Sequence, residues 1–405
     1  MSIKEYFLTF KAAARVLFEC SPRIVWKFMR NFAMRSAINI SRFEKRQRKG
    51  KPFFPAFIMI SVTEACNLAC SGCWISKDGK KTLSPEQLDG IIQSCKKEGS
   101  YFFGILGGEP LMYNALFDIF AKHSDCYFQL FTNGILLTDK VAKRLKKLGN
   151  VTPLLSIEGL ETESDIRRGK DDVYRRTIDG LRACKRAKLI IGAAASICKS
   201  NFDELVNRNY LELLAKEGVH YLWYYIYRPV GAIPNPDNAL SREQIITLQR
   251  FIVEQRRNAP LQIIDAYWDD KGRALCPAAV GISHHISPSG AVEFCPPLQM
   301  SKDFINENGS NLKEIFANSS FLADLRKLTA ENSRGCIILE NPGLMVDFLI
   351  EQGAIDTTSR ETVLEEFRKM GKLPGHDLQG DEIPDSNIFY RLVKKNYFFG
   401  FGAYG

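Results

Sequence analysis

The alternation of short apolar runs with longer amphipathic segments between residues 57 and 257 constrains the fold most. Six runs are apolar nearly throughout and rich in β-branched or aromatic residues, as buried parallel strands are. These predicted strands are 57–62, 102–106, 127–132, 153–158, 189–197 and 219–225. Helical spacing between and after them predicts helices at 84–98, 113–123, 138–148, 173–187, 203–217 and 241–257. Because a closed barrel needs eight such units, we predict an α/β fold, a partial (β/α)6 TIM-like barrel.

The chain divides into four predicted parts. The barrel spans residues 53–258, and a Pro-, Gly- and Ser-rich segment at 259–340 predicts a small loop-rich domain. Residues 341–405 begin with helical patterns and finish in an aromatic tail, whereas residues 1–52 form a basic arm. No run approaches the roughly 18 apolar residues of a membrane span. Because the first residues also lack the apolar core of a signal peptide, we expect a cytoplasmic protein.

The positive charge of the chain is concentrated in the arm. Residues 1–51 contain thirteen Lys or Arg and three Glu, a net charge of +10, while the other 354 residues carry −1. Apolar side chains recur in the arm at helical spacing, and they include Phe7, Phe18, Trp26 and Phe32. Basic amphipathic helices of this kind bind anionic membranes, so we expect peripheral contact with the inner face of the membrane. The alternatives are packing against the barrel and, least favoured, nucleic-acid binding.

Three cysteines form the strongest local motif. Cys66, Cys70 and Cys73 lie within eight residues and are followed by Trp74. Thiolates favour iron–sulfur clusters or zinc, and a structural zinc site needs four ligands. The closest histidine is the distant His123, so three thiolates on a four-iron cluster, with one iron left open, explain the motif best. A zinc loop that borrows a remote ligand is the alternative.

Distinctive sequences also follow the next three predicted strands, where the chemistry of a parallel sheet is located. They are GGEP at 107–110, TNG at 132–134 and SIEG at 156–159. Together with CNLACSGCW they resemble the radical S-adenosylmethionine (SAM) superfamily, in order over residues 56–235. The resemblance implies a [4Fe–4S] cluster on the three cysteines and SAM bound to the open iron.

The resemblance also assigns cofactor-binding residues. Trp74 would border the cluster and adenine, and the methionine ammonium would bind at Gly107, Gly108, Glu109 and Pro110. Thr132, Asn133 and Ser156 correspond to further contacts, with Ser156 on the ribose. In DIRRG (165–169), Arg168 is the expected partner of the SAM carboxylate and Arg167 the alternative. Glu158 stands where the family usually has aspartate.

The second cysteine set resembles the SPASM/twitch auxiliary-cluster domains. Cys276, Gly290, Cys295 and Cys336 carry this likeness, which implies a second iron–sulfur cluster. Its fourth position would be open or filled by one of three residues, namely His284, His285 or Glu340. A cluster-free domain or a zinc site is the alternative. The five remaining cysteines are predicted to be small buried residues: Cys20, Cys95, Cys126, Cys184 and Cys198.

The resemblance implies a reaction. A reductase such as flavodoxin or ferredoxin would supply one electron, SAM would split into methionine and a 5′-deoxyadenosyl radical, and the radical would take hydrogen from an unactivated C–H bond. The basic arm and aromatic tail favour a membrane lipid or polyprenoid as substrate. The alternatives are a SPASM-type maturase of a ribosomal peptide or protein, and a non-catalytic metal- or cluster-binding protein.

Overall fold

The structure is a computed structural model, and it describes residues 14–76, 79–231, 233–385, 387 and 390–391. Nine of its strands form one sheet in the order β7-β6-β5-β4-β3-β2-β1-β8-β9. The strands are β1 (Phe57–Ser61), β2 (Phe102–Leu106), β3 (Tyr127–Thr132), β4 (Val151–Ser156), β5 (Gly192–Ile197), β6 (Tyr221–Ile226), β7 (Gln262–Ile264), β8 (Ser283–Ile286) and β9 (Val292–Glu293). A separate antiparallel pair joins β10 (Met300–Ser301) to β11 (Ile355–Asp356).

The predicted α/β class and open parallel barrel are confirmed. Strands β1 to β7 are parallel, β8 pairs parallel with β1, and only β9 is antiparallel. The first six strands are those predicted, with β2 and β3 at the predicted bounds and the bounds of the other four shifted by one to three residues. Strands β7 and β8 come from the segment predicted as a separate domain, yet they extend the barrel sheet at its two edges. The predicted boundary at residue 258 therefore does not separate two sheets.

Helices connect the strands and cover the outer face of the sheet. In chain order they are α1 (Pro22–Lys27), α2 (Arg35–Arg48), α3 (Pro85–Glu98), α4 (Leu116–Lys122), α5 (Asp139–Leu148), α6 (Glu161–Arg168), α7 (Val173–Arg186), α8 (Phe202–Leu205), α9 (Arg208–Glu217), α10 (Arg242–Gln255), α11 (Leu312–Asn318), α12 (Ser320–Asn332), α13 (Ile337–Glu340), α14 (Pro342–Glu351) and α15 (Val363–Met370). The helix predicted at 203–217 is two helices, α8 and α9. Helix α6 was not predicted, because only one of its eight residues is apolar.

Local sequence explains where the longer helices begin and end. At α3 the Ser84 hydroxyl accepts from the Gln87 amide and the Gln87 side chain accepts from the Ser84 amide, a reciprocal cap. Gly99 ends this helix with φ of +95°, a conformation that suits glycine. Ser241 and Gln244 form the same reciprocal cap at α10. Capping residues thus set where these two helices begin.

The arm packs against the end of the barrel where the strands begin. A π-helical segment, Phe28–Met34, joins α1 to α2, and Phe32 lies among the aromatic rings of Phe57, Phe102 and Tyr127. Each of these rings belongs to the first residue of its strand. The Arg15 guanidinium donates to carbonyl oxygens of the barrel, and Arg46 forms an ion pair with Glu98. Packing against the barrel is therefore observed for the described part of the arm.

Part of the arm prediction lies outside the described residues, since Phe7 and the rest of residues 1–13 are not described. The same holds for the aromatic tail from residue 392 onward. Among the helices that the structure describes, none has the length and apolar character needed to cross a bilayer.

Candidate functional site

The loop that carries the first three cysteines follows β1 and is fastened to the GGEP sequence after β2. The Gly108 amide donates to the Thr63 carbonyl at 2.7 Å, and the Glu109 amide donates to the Ala65 carbonyl at 2.8 Å. A Cβ atom on Gly107 would lie 2.5 Å from the Thr63 oxygen. At Gly108 it would collide with the Ala65 oxygen. Both glycines therefore allow the backbone of the cysteine loop to approach this strand end.

Glu109 joins the same loop to the end of β3. Its carboxylate is fully buried and accepts from the Leu111 amide at 3.0 Å, the Thr132 hydroxyl at 2.8 Å and the Asn133 amide at 2.8 Å. Burial raises the pKa of Glu109, and these donors oppose that rise. A carboxylate offers about four acceptor positions. One acceptor position on Oε2 of Glu109 therefore remains for a cationic group. Pro110, the next residue, begins a short 3₁₀ turn.

Asn133 connects the strand end with the cysteine loop. Its side-chain amide donates to the Asn67 side chain at 2.7 Å, between Cys66 and Cys70. Its carbonyl accepts from the Thr177 hydroxyl at 2.8 Å. The predicted residues Glu109, Thr132 and Asn133 are thus brought together in one hydrogen-bonded network that borders the cysteines.

The arginine pair at the end of α6 lies beside the thiols. Arg168 is buried and donates to Glu158 at 3.0 Å and to the Cys70 sulfur at 3.6 Å. Arg167 lies 3.0 Å from the other Glu158 oxygen. Two N–H groups of Arg168 are therefore already engaged, and the remaining ones are available to a further carboxylate. The ion pairs of Glu158 with both arginines were not predicted. The sequence singled out Glu158 only because the family usually has aspartate at this position.

The chemistry of the first cysteine set fits a cluster. Burial and the neighbouring thiols raise the pKa of Cys73 to about 12, and burial also raises the pKa of Cys66. Such thiols stay neutral unless a metal centre compensates the charge of the thiolates. Within the described residues, the one group of three potential ligands whose donor atoms all lie within 4.8 Å is at His123, Asp125 and Cys126.

That distance argues against zinc. Two sulfurs on one zinc ion lie at most about 4.6 Å apart, because a Zn–S bond is about 2.3 Å long. Neither predicted cysteine trio is drawn together this tightly in the described structure. His123 does not approach the first trio either, since it pairs with Asp89 at 2.9 Å. Neither trio is therefore arranged around a single metal ion in the described structure.

A cavity of about 340 Å³ lies beside the second cysteine set. Cys276, Cys295 and Cys336 line it, together with Trp74 of the cysteine loop and Ser156 at the end of β4. Burial raises the pKa of Cys276 to about 11. The structure thus gathers three cysteines that are up to 60 residues apart in sequence around one space.

Arg228 and aromatic side chains complete this cavity. The half-buried Arg228 donates to the Cys336 sulfur at 3.1 Å and lies over the ring of Tyr267. Further aromatic or apolar lining residues are Met59, Leu106, Phe131, Trp223, Tyr225 and Phe294. The cavity is therefore mostly apolar, with a positive charge at the second cysteine set.

The predicted fourth ligands of the second set have other partners. His284 hydrogen-bonds to the Phe294 carbonyl and to Arg326, and His285 to Glu293 and Ser61, so both ring nitrogens of each are engaged. Glu340 accepts from Ser333 and from the Cys336 amide. The other five cysteines are buried and free, as predicted.

Comparison with known proteins identifies the family of the segment that carries the first cysteine set. Residues 60–221 match the family model of the radical SAM superfamily. This segment is a radical SAM domain. The superfamily predicted from the cysteine and GGEP motifs is thereby confirmed, and with it the [4Fe–4S] cluster and SAM as cofactors of the domain.

Two curated relatives cover the radical SAM domain. The sporulation killing factor maturation protein SkfB of Bacillus subtilis is 27% identical over 157 residues, 38% of this chain and 38% of that protein. The Fe-coproporphyrin III synthase of Methanosarcina barkeri is 26% identical over 218 residues, 51% of this chain and 54% of that protein. The chain thus spans about half or less of each relative.

A solved structure extends the likeness beyond the domain. Streptococcus suis SuiB bound to precursor peptide SuiA superposes with a TM-score of 0.59 and 15% identity, over 71% of this chain and 70% of SuiB. At that identity the similarity shows the fold alone. Because 71% of the chain exceeds residues 60–221, the shared fold includes sequence outside the radical SAM domain. The predicted likeness to radical SAM enzymes with a SPASM/twitch-like domain is confirmed at this level.

Proposed function

We propose that the protein cleaves SAM reductively at a [4Fe–4S] cluster held by Cys66, Cys70 and Cys73 and acts on a C–H bond in the cavity. The observation that carries this proposal is the joining of the cysteine loop, GGEP and TNG into one network at the strand ends. The cysteine loop also contributes Gly72 and Trp74 to the wall of a cavity large enough for a side chain or a small substrate. When bound, the cluster and SAM supply a carbon radical able to remove hydrogen from an unactivated C–H bond.

The residues of the chain have distinct roles in this proposal. The unused acceptor of Glu109 would bind the methionine ammonium, and the free donors of Arg168 would bind its carboxylate. Glu158 keeps the Arg168 guanidinium in place, and Ser156 and Trp74 direct the nucleoside toward the cavity. The apolar lining would exclude water from the reacting carbon, while an external one-electron donor, of the flavodoxin or ferredoxin kind, would reduce the cluster.

A peptide is the substrate class that the comparisons favour. SkfB is a maturation protein by name, and SuiB has been solved with its precursor peptide. The cavity supports this class, because its aromatic walls suit a side chain and Arg228 suits a carboxylate or a backbone carbonyl. The lipid or polyprenoid favoured by the sequence has no such support, so we place the peptide first.

Membrane contact is a separate proposal about the arm. Its described outward surface exposes several large apolar side chains, with 85% of Phe18 and 56% each of Trp26 and Met29 accessible. These residues lie in the segment of net charge +10. We propose that this arm surface, defined by Phe18, Trp26 and Met29, contacts anionic lipid headgroups, since apolar insertion and basic charge act together there.

The catalytic proposal is tested with anaerobically reconstituted protein reduced by dithionite. We expect it to convert SAM into 5′-deoxyadenosine and methionine, and we expect the Cys66→Ala/Cys70→Ala/Cys73→Ala variant to abolish the conversion. Cys95→Ala, in the buried part of α3, is the matched control and should retain it. Zinc without sulfide in the purified protein, or cleavage that persists in the triple variant, would refute the proposal.

The substrate class needs a separate measurement. Peptide and lipid fractions of deuterium-labelled cells are each incubated with the reduced enzyme and SAM. Transfer of deuterium into 5′-deoxyadenosine from the peptide fraction alone is expected. Transfer from the lipid fraction alone would overturn the peptide assignment.

A further inference from the structure

His376 is a buried residue of the C-terminal region that faces the cavity of the second cysteine set. It follows α15, only 2% of its surface is accessible, and its side chain lines the same cavity as Cys276, Cys295 and Cys336. Nothing in the sequence marks it, because it stands alone in an irregular segment more than 35 residues beyond Cys336.

Two observations place the segment of His376 next to the residues that precede two of these cysteines. Its Nε2 hydrogen-bonds to the carbonyl oxygen of Leu275, the residue before Cys276, at 2.9 Å. On the other side, a Cβ atom built on Gly335 would lie 3.0 Å from the Asp377 amide nitrogen. Leu275, before Cys276, therefore contacts the His376 ring, and Gly335, before Cys336, lies close to the backbone of Asp377. The Trp268 indole donates to the His376 carbonyl at 2.9 Å and fixes the backbone as well.

The hydrogen bond to Leu275 determines the tautomer of the ring. A carbonyl oxygen can only accept, so Nε2 carries the proton and Nδ1 carries a lone pair. Within the described residues, no hydrogen bond occupies Nδ1 of His376. Metal-binding histidines characteristically donate the other ring N–H to a carboxylate or a backbone carbonyl, which orients the ring. His376 has this arrangement, whereas His284 and His285 have both ring nitrogens engaged.

We propose that His376 is the fourth protein ligand of an auxiliary iron–sulfur cluster held by Cys276, Cys295 and Cys336, with Nδ1 as the donor atom. This inference rests on the proposed function for the presence of that cluster. Four protein ligands leave the auxiliary cluster without an open iron. The substrate is then held by the cavity walls and Arg228, and the auxiliary cluster exchanges electrons. A neutral imidazole in place of a thiolate also raises the reduction potential of such a cluster.

The test uses the full chain with Cys66→Ala/Cys70→Ala/Cys73→Ala, so that only the auxiliary cluster is present. The protein is labelled with ¹⁵N-histidine, reconstituted anaerobically, reduced with dithionite and studied by pulsed electron paramagnetic resonance. We expect one strongly coupled histidine nitrogen, lost in His376→Ala and unchanged in His284→Ala. His376→Cys should retain the iron and sulfide, lose the nitrogen coupling and lower the midpoint potential.

Three outcomes would overturn the inference. They are the absence of a directly coupled nitrogen in the parent, its survival in His376→Ala, and a chain that binds no iron once the first three cysteines are removed. The last outcome would not contradict SAM cleavage at the first cluster, because that reaction is measured with Cys66, Cys70 and Cys73 intact. Failure of this inference is thus distinguishable from failure of the proposed function.

Discussion

Replacing Gly108 with alanine tests how the cysteine loop is held. The added Cβ would lie 2.5 Å from the Glu64 oxygen and closer still to the Ala65 oxygen, both backbone atoms that no side-chain rotation can move away. Restoring an ordinary contact requires the loop to move by about 1 Å, which breaks the hydrogen bonds to Thr63 and Ala65. Two such bonds contribute about 0.5–1.5 kcal/mol each. Overpacking adds about 1–3 kcal/mol, so we expect a loss of about 2–6 kcal/mol in the free energy of unfolding.

Gly108→Ala should also slow the reaction. A misplacement of about 1 Å in an active site costs about 100-fold in rate, so we expect 5′-deoxyadenosine formation to fall by that factor. Urea denaturation, iron content and the initial rate are measured on the same preparation. Gly343→Ala is the control, because a Cβ there meets nothing within 4 Å. If Gly108→Ala matches the parent in both stability and rate, the close approach of the two loops is not what positions the cysteines.

The remaining predictions concern Glu158 and the arm. We expect Glu158→Gln to lower the free energy of unfolding, measured by urea denaturation, by about 3–5 kcal/mol, because it removes the carboxylate that pairs with Arg167 and Arg168. The control Glu161→Gln, at an exposed position, should change this free energy by less than about 0.5 kcal/mol. Equal effects of the two substitutions would contradict the reasoning. For the arm, we expect Phe18→Asp/Trp26→Asp/Met29→Asp to weaken binding to phosphatidylglycerol-containing vesicles at least about tenfold in a sedimentation assay, whereas Ile350→Asp should not. Unchanged vesicle binding by the triple variant would refute the membrane proposal.

Much of the barrel could be predicted because strands and helices are encoded locally. The alternation of apolar runs with amphipathic segments predicted β1 to β6 and most connecting helices within a few residues. Strand β7 has three residues and β8 begins Ser-His-His, so neither carries an apolar run long enough to recognise. Their place in the sheet depends on the free edges of β6 and β1, which exist only after the barrel has formed.

The residues of the candidate site also differ in whether local sequence could predict them. Cys66, Cys70 and Cys73 lie within one loop, so their spacing alone predicted a shared metal centre. The partners of that centre come from distant sequence: Arg168 meets Cys70 across 98 residues, and Glu158 is oriented by the same helix end. No periodicity or spacing connects such residues, because their contact depends on how whole strand–helix units pack.

Sequence by itself determined the fold class, the first cysteine trio and the GGEP and TNG motifs, since each of these is written in short stretches of chain. Only the tertiary structure decided that the arm packs beneath the strands, that Glu158 pairs with both arginines, and that His376 lies next to the residues before Cys276 and Cys336. These are single side chains without a repeating pattern. Their neighbours are chosen by the burial of the whole core, which brings together residues that local sequence leaves unrelated.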